Sequence, residues 1–111
     1  MKDAFIVIPA YNEGKTLPSV LENLKERGYE NIIVVDDGSR DETFEIAKKM
    51  AKFPIRHRLN RGLGGALGTG IEAAVRLGAE YIFTFDADGQ HNPDEIQKLY
   101  SPLKRREADA V

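Results

Sequence analysis

Two aspartates one residue apart, Asp86 and Asp88, follow directly on the apolar run Tyr81-Ile82-Phe83-Thr84-Phe85. In an extended segment, residues two apart point to the same side. Carboxylates held ~4 Å apart repel by ~4 kcal/mol at an effective dielectric of ~20. A hard divalent cation with oxygen ligands relieves that repulsion. Three more acids stand in equivalent places: Asp36 and Asp37 close the run Ile32-Ile33-Val34-Val35, and Glu13 ends the segment Pro9-Ala10-Tyr11-Asn12-Glu13 after Ala4-Phe5-Ile6-Val7-Ile8. An aspartate at a strand end also serves as the cap of the next helix, and for Asp36 or Asp37 alone that role stands level with ligand binding. The remaining chemistry lies in Asn60-Arg61-Gly62-Leu63-Gly64-Gly65-Ala66-Leu67-Gly68. Glycines ahead of a helix let backbone N–H groups approach an anion, which the helix dipole favours. At Gly65 and Gly68, close packing of helix on sheet accounts for glycine equally well. Arg61 is a candidate phosphate or sugar contact, and Tyr11 offers a flat face on which a base could stack.

The elements that must position these residues are four short apolar runs alternating with helical patterns. The runs are Ala4–Ile8, Ile32–Val35, a weaker one near Ile55–Arg58, and Tyr81–Phe85. Leu17, Val20, Leu21 and Leu24 recur at helical spacing between Thr16, as N-cap, and Gly28. A second helix, capped by Ser39 or Asp41, carries Phe44, Ala47 and Met50 inward. A third opens in the glycines, carries Leu67, Ile71, Ala74 and Val75, and ends at Gly78. Asn92-Pro93-Asp94-Glu95 predicts a fourth helix start, with Ile96, Leu99, Tyr100 and Leu103 as its buried face. A βα unit recurring about every 25 residues implies right-handed crossovers and a parallel sheet covered on both sides. The expected fold is a single doubly wound α/β domain over 1–111, with its acids at the carboxyl edge where such sheets bind ligands.

Bulk properties narrow the classes. The chain has 111 residues, 41% hydrophobic and 31% charged, with a net charge of −2 and no cysteine. No basic field invites nucleic acid, and neither disulfides nor thiolate metal sites are available. No apolar run approaches the ~18 residues of a membrane span, and the first residues do not read as a signal peptide. A cytoplasmic domain is expected. The closing Ala108-Asp109-Ala110-Val111 reads as the start of a fifth strand, as though the chain were cut from a longer one. Gly14-Lys15-Thr16 is not a P-loop, because that motif needs glycine six residues before the lysine and position 9 is proline. The dinucleotide fingerprint fails at Leu67.

Four segments in order, Ile8-Pro9-Ala10-Tyr11-Asn12-Glu13, Val34-Val35-Asp36-Asp37-Gly38-Ser39, Asn60-Arg61-Gly62 with its Ala- and Gly-rich helix, and Phe85-Asp86-Ala87-Asp88-Gly89-Gln90-His91, resemble the family 2 glycosyltransferases of GT-A fold. Within that family the chain is most similar to the dolichyl- or polyprenyl-phosphate mannose and glucose synthases. The resemblance implies a metal-dependent, inverting transfer from a nucleoside-diphosphate sugar to a lipid phosphate. It implies that Pro9, Tyr11 and Glu13 hold base and ribose, that Asp36 contacts the base with Asp37 close by, and that Asp86-Ala87-Asp88 is the D-x-D motif. Asp86, Asp88 and Gln90 would hold Mg²⁺ or Mn²⁺, while Arg61 or His91 approaches the phosphates. The catalytic base and acceptor contacts of such enzymes lie beyond the fifth strand. Donor binding with little transfer is therefore expected of these residues alone, at the cytoplasmic face of a membrane.

Rival classes make different demands. A receiver domain of two-component signalling also has an acidic pair, but after its first strand, whereas Asp36-Asp37 follows the second. A sugar nucleotidyltransferase commonly has a glycine- and base-rich loop after strand one, where this chain has Tyr11-Asn12-Glu13. A glycosidase built on Asp86 and Asp88 would leave the glycine-rich segment without a role.

Overall fold

A computed structural model describes residues 3–89 and the backbone of Gln97–Leu99. The elements run β1 (Ala4–Ala10), α1 (Leu17–Glu26), β2 (Ile32–Asp36), α2 (Thr43–Met50), β3 (Phe53–Arg56), α3 (Gly62–Arg76), β4 (Tyr81–Thr84) and β5 (Gln97–Leu99). They form one sheet in the order β3-β2-β1-β4-β5. The pairs β1–β2, β1–β4 and β2–β3 are parallel. The apolar runs of β1 and β2 are continuous because both faces are covered. Even-numbered Ile6, Ile8, Ile32 and Val34 pack with Leu17, Leu21 and Leu24 of α1 and Ala47 of α2. Odd-numbered Phe5, Val7, Ile33 and Val35 pack with Ala66 and Ala74 of α3. The doubly wound α/β layer is thus as expected, with α1 and α2 on one face and α3 on the other.

The helix boundaries follow local chemistry. Gly28 and Gly78 stop α1 and α3 in the left-handed conformation, at φ 90° and 91°, where a side chain would be strained. Along α3 the fully buried stripe is Ala66, Gly70 and Ala74, with Leu67, Ile71 and Val75 packed at its flank. A Cβ at Gly70 would fall 2.3 Å from Val7 Cγ1, whereas one at Gly68 would meet nothing within 4 Å. Close helix–sheet packing therefore accounts for Gly70 and not for Gly68. At Gly65 the nearest atoms that a Cβ would meet belong to the side chain of Arg61, one turn earlier.

One element departs from expectation. The helix predicted to start at Asn92 and to bury Leu99 is replaced at Gln97–Leu99 by a strand antiparallel to β4, with Ile82 opposite Leu99 and Thr84 opposite Gln97. An uncovered β4 would leave a row of backbone donors and acceptors unpaired, and pairing with them overrides a local helical pattern. The predicted helix start itself, Gln90, His91 and the strand expected at 108–111 lie outside the described residues.

The contrast between the two glycines is measurable. Gly68→Ala should stabilise by up to ~1 kcal/mol through helix propensity, while Gly70→Ala should destabilise by ~1–3 kcal/mol through overpacking on Val7. Urea denaturation of both variants checks the sign, and equal stabilisation by both would contradict this packing of α3.

Candidate functional site

The strand order reverses at β1, with β2 and β3 on one side and β4 on the other. In open α/β sheets, ligands bind at the carboxyl ends of the strands at such a switch point. An open cleft of about 380 Å³ lies there. Its walls are Pro9, Ala10, Tyr11 and Glu13 after β1, Asp37 after β2, Asn60, Gly62, Leu63 and Ala66 at the start of α3, and Asp86, Ala87 and Asp88 after β4.

The loop after β1 is fastened to the loop after β2 by side chains of the Asp-Asp-Gly-Ser-Arg-Asp-Glu-Thr segment. Asn12 takes a left-handed backbone at φ 53°, which asparagine tolerates better than most residues. Its N–H donates to Ser39 Oγ at 2.8 Å, and its Oδ1 accepts from Arg40 N–H at 2.9 Å. The N–H of Glu13 donates to Thr43 Oγ1 at 2.9 Å, and that of Gly14 to Asp41 Oδ2 at 3.0 Å. Ser39 and Asp41, expected as caps of α2, thus serve the neighbouring loop, although Asp41 Oδ1 also accepts from Thr43 N–H at 3.0 Å. On the other side, Thr16 Oγ1 donates to the carbonyl of Ala87 at 2.6 Å. That bond fixes the turn carrying Asp86 and Asp88 against the N-terminus of α1.

The two central aspartates part company. Asp37 Oδ1 accepts from Arg61 N–H at 2.9 Å and from His57 Nδ1 at 2.8 Å, and Oδ2 accepts from Gly62 N–H at 2.9 Å. Asp37 is therefore a cap, though of α3 rather than of the next helix, and it lines the cleft as well. Asp36 is fully buried and does not line the cleft. Its Oδ1 accepts from Ser39 N–H at 3.3 Å. Its Oδ2 has no hydrogen-bond partner among the described residues, with Arg56 Nε 3.6 Å away. Strand parity separates the pair: Asp36 continues the face that meets α1 and α2, and Asp37 the face that meets α3. A methyl group at Gly38, where φ is 82°, would press on the Asn60 backbone at 3.0 Å, so glycine lets the β2 loop and the α3 loop approach.

Of the residues singled out in the sequence, Pro9, Tyr11, Glu13, Asp37, Asp86, Ala87 and Asp88 meet in this cleft. Arg61 contributes its backbone to the Asp37 cap, and its side chain is exposed outside the lining. Among the described residues no group of three or more histidine, aspartate or glutamate side chains is assembled to hold an ion. Asp86 and Asp88 still supply two hard oxygen donors to one wall, a set that suits Mg²⁺ or Mn²⁺. Sequence reasoning missed His57, which is 7% exposed and joins Asp37 to Thr69. Its one signal is the β2–β3 register, which pairs Asp36 with Arg56 and so sets the next two residues side by side.

Residues 5–111 match the sequence profile of Glycosyl transferase family 2. The chain belongs to that family. It is 42% identical over 116 residues to the UDP-N-acetylglucosamine–dolichyl-phosphate N-acetylglucosaminyltransferase of Methanococcus voltae, covering 89% of this chain and 46% of that protein. It is 35% identical over 101 residues to the polyprenol monophosphomannose synthase of Mycolicibacterium smegmatis, covering 85% and 38%. The chain thus spans less than half the length of either relative. A glucosyl-3-phosphoglycerate synthase of Mycobacterium tuberculosis, solved with Mn²⁺, UDP-glucose and phosphoglyceric acid, superposes with a TM-score of 0.63 at 23% identity over 76% of this chain and 32% of that one, a likeness of fold. The GT-A fold expected of a family 2 member is therefore present. The receiver's 2-1-3-4-5 strand order is not.

Burial alone would raise the carboxyl of Asp37, but the N–H of Arg61, the His57 ring and the N–H of Gly62 outweigh it and hold it below the ordinary value. At Asp41, burial is likewise outweighed by the hydroxyl and N–H of Thr43 and the N–H of Gly14. A carboxyl depressed by folding stabilises the native state above its unfolded pKa of ~3.9, and that contribution is lost as pH falls through the folded value. The urea midpoint should hold level from neutral pH to about 5 and fall steeply below about 4. Asp37→Asn should start lower and fall less steeply. A wild-type midpoint unchanged at pH 3 would contradict this account of the two carboxylates.

Proposed function

We propose that the cleft binds a nucleoside-diphosphate sugar together with Mg²⁺ or Mn²⁺, as the donor site of an inverting glycosyltransferase acting on a dolichyl or polyprenyl phosphate. The observation that carries this is the meeting of two chemistries at one switch point. Asp86 and Asp88 stand after β4, facing the aromatic and acidic loop Pro9–Glu13 after β1. Family membership and the two lipid-phosphate relatives support it.

Tyr11, 45% exposed at the cleft, offers a face for the base, with Pro9 beside it and Glu13 in reach of ribose hydroxyls. Asp37 presents a carboxylate edge to the base from the opposite wall. Asp37 takes the N–H groups of Arg61, just before α3, and of Gly62, its first residue, and the following amides, at Leu63 and Gly64, would be left for an anion. Asp86 and Asp88, with Gln90, would hold the cation against the diphosphate. The cation supplies electrostatic stabilisation of the leaving group. In the transfer an acceptor oxygen forms the new bond at the anomeric carbon while the bond to the nucleoside diphosphate breaks on the opposite face. An ionised phosphate acceptor has no proton to lose. Among the described residues no helix is long and apolar enough to cross a membrane. The lipid-phosphate acceptor in this reading is met at the cytoplasmic face of the bilayer.

Thermal-shift titration with UDP and with GDP, each with and without Mn²⁺, tests the reading. Nucleotide at 100 times its Kd should add ~2.7 kcal/mol of stability. The metal-dependent part should vanish in Asp86→Ala/Asp88→Ala. Absence of any shift with either nucleotide would overturn the donor-site assignment.

A further inference from the structure

We infer that His57, which lies behind the cleft, is the positioning residue that fixes the wall made by Asp37 and Gly62. The inference rests in part on the donor-site reading, because its functional consequence is nucleotide affinity.

His57 follows β3, and its backbone N–H donates to the carbonyl of Asp36 at 2.8 Å, extending the β2–β3 ladder by one residue. The ring then turns inward. Nδ1 lies 2.8 Å from Asp37 Oδ1, and Nε2 lies 2.8 Å from Thr69 Oγ1. An ionised carboxylate only accepts, so the proton sits on Nδ1; in the neutral ring Nε2 accepts from the threonine hydroxyl. One rigid side chain thereby joins three elements: the end of β3, the loop after β2, and α3 at its eighth residue.

The consequence follows from what Asp37 holds. Its two oxygens accept from the N–H groups of Arg61 and Gly62, at the start of α3. His57 fixes the carboxylate from behind and, through Thr69, ties the same helix further along. Thr69 precedes Gly70, whose contact with Val7 leaves α3 no slack against the sheet. With the imidazole replaced by an apolar side chain, Asp37 Oδ1 and Thr69 Oγ1 lose their shared partner. The carboxylate is then free to turn away from the helix start. No other described side chain hydrogen-bonds to Asp37.

The test uses hydrogen exchange at single amides together with nucleotide titration. The proteins are the wild type, His57→Leu, His57→Asn and the milder Thr69→Val, which breaks only the bond to the helix. In His57→Leu, exchange at Arg61 and Gly62 should accelerate about tenfold beyond the change at Ile33 and Val34 of β2, which reports overall stability, and in Thr69→Val by a smaller factor in the same direction. Affinity for UDP or GDP, whichever the wild type binds, should fall about tenfold in His57→Leu. His57→Asn, whose amide can replace the Nδ1 donor, should recover most of both. Exchange at positions 61 and 62 that changes only in step with β2 would overturn the inference, whatever the nucleotide result. A wild type that binds neither nucleotide would instead fell the donor-site reading, with exchange still deciding the role of His57.

Discussion

A carboxylate largely withdrawn from water is tolerated only where donors surround it, and Asp37 at the cleft wall meets that condition with two backbone N–H groups and one imidazole. The three donors come from separate places in the chain: the start of α3 and the residue after β3. Satisfying one charge therefore fixes where α3, which covers its face of the sheet among the described residues, begins. It also fixes where the glycine-rich loop lies against the end of β2. The cleft inherits its shape from that arrangement, since Asp37 and Gly62 both line it. The electrostatics agree, because a negative charge at the first turn of α3 sits at the favourable end of the helix dipole.

The same economy of roles runs through the family 2 motifs. In the segment after β2, the serine, second aspartate and threonine hold the Asn12–Gly14 loop in place. Thr16, at the start of α1, does the equivalent for the turn bearing Asp86 and Asp88. Residues that look like ligands in the sequence are thus divided between those that face the cleft and those that hold its loops. Asp86 and Asp88 face the cleft after β4, with Thr16 holding the turn that carries them. Preorganised oxygen donors of this kind suit a divalent cation and a diphosphate, where charge has to be met without rearrangement.

Much of this was legible in the sequence because it depends on local period and punctuation. The continuous β-branched run of β2, the leucine spacing of α1 and the glycines at 28 and 78 each declare an element or its end without reference to anything distant. The gathering of acids at one edge followed from the parallel topology those elements imply. What stayed hidden depends on partners far along the chain. Asp36 and Asp37 are adjacent and chemically identical, and only the side of the sheet taken by α3 decides which one reaches the cleft. Gly70 is one of several glycines in its helix, and only contact with Val7 marks it as the packing residue. His57 has no motif of its own; its meaning comes from the β2–β3 register. At Gln97–Leu99 the local helical spacing misled, because the unpaired edge of β4 is a stronger demand than the period of four apolar side chains.

Asp86 and Asp88 after β4, the Tyr11 loop and the start of α3 line one cleft, proposed above to take a metal-bound nucleotide. Paramagnetic relaxation measured amide by amide, with Mn²⁺ added in the presence of UDP or GDP, tests it most directly. Selective broadening is expected at Asp86, Asp88, Tyr11 and Leu63, with Asn31 and Gly78 at the opposite edge of the sheet unaffected. Broadening centred on that opposite edge, or none that depends on nucleotide, would contradict it.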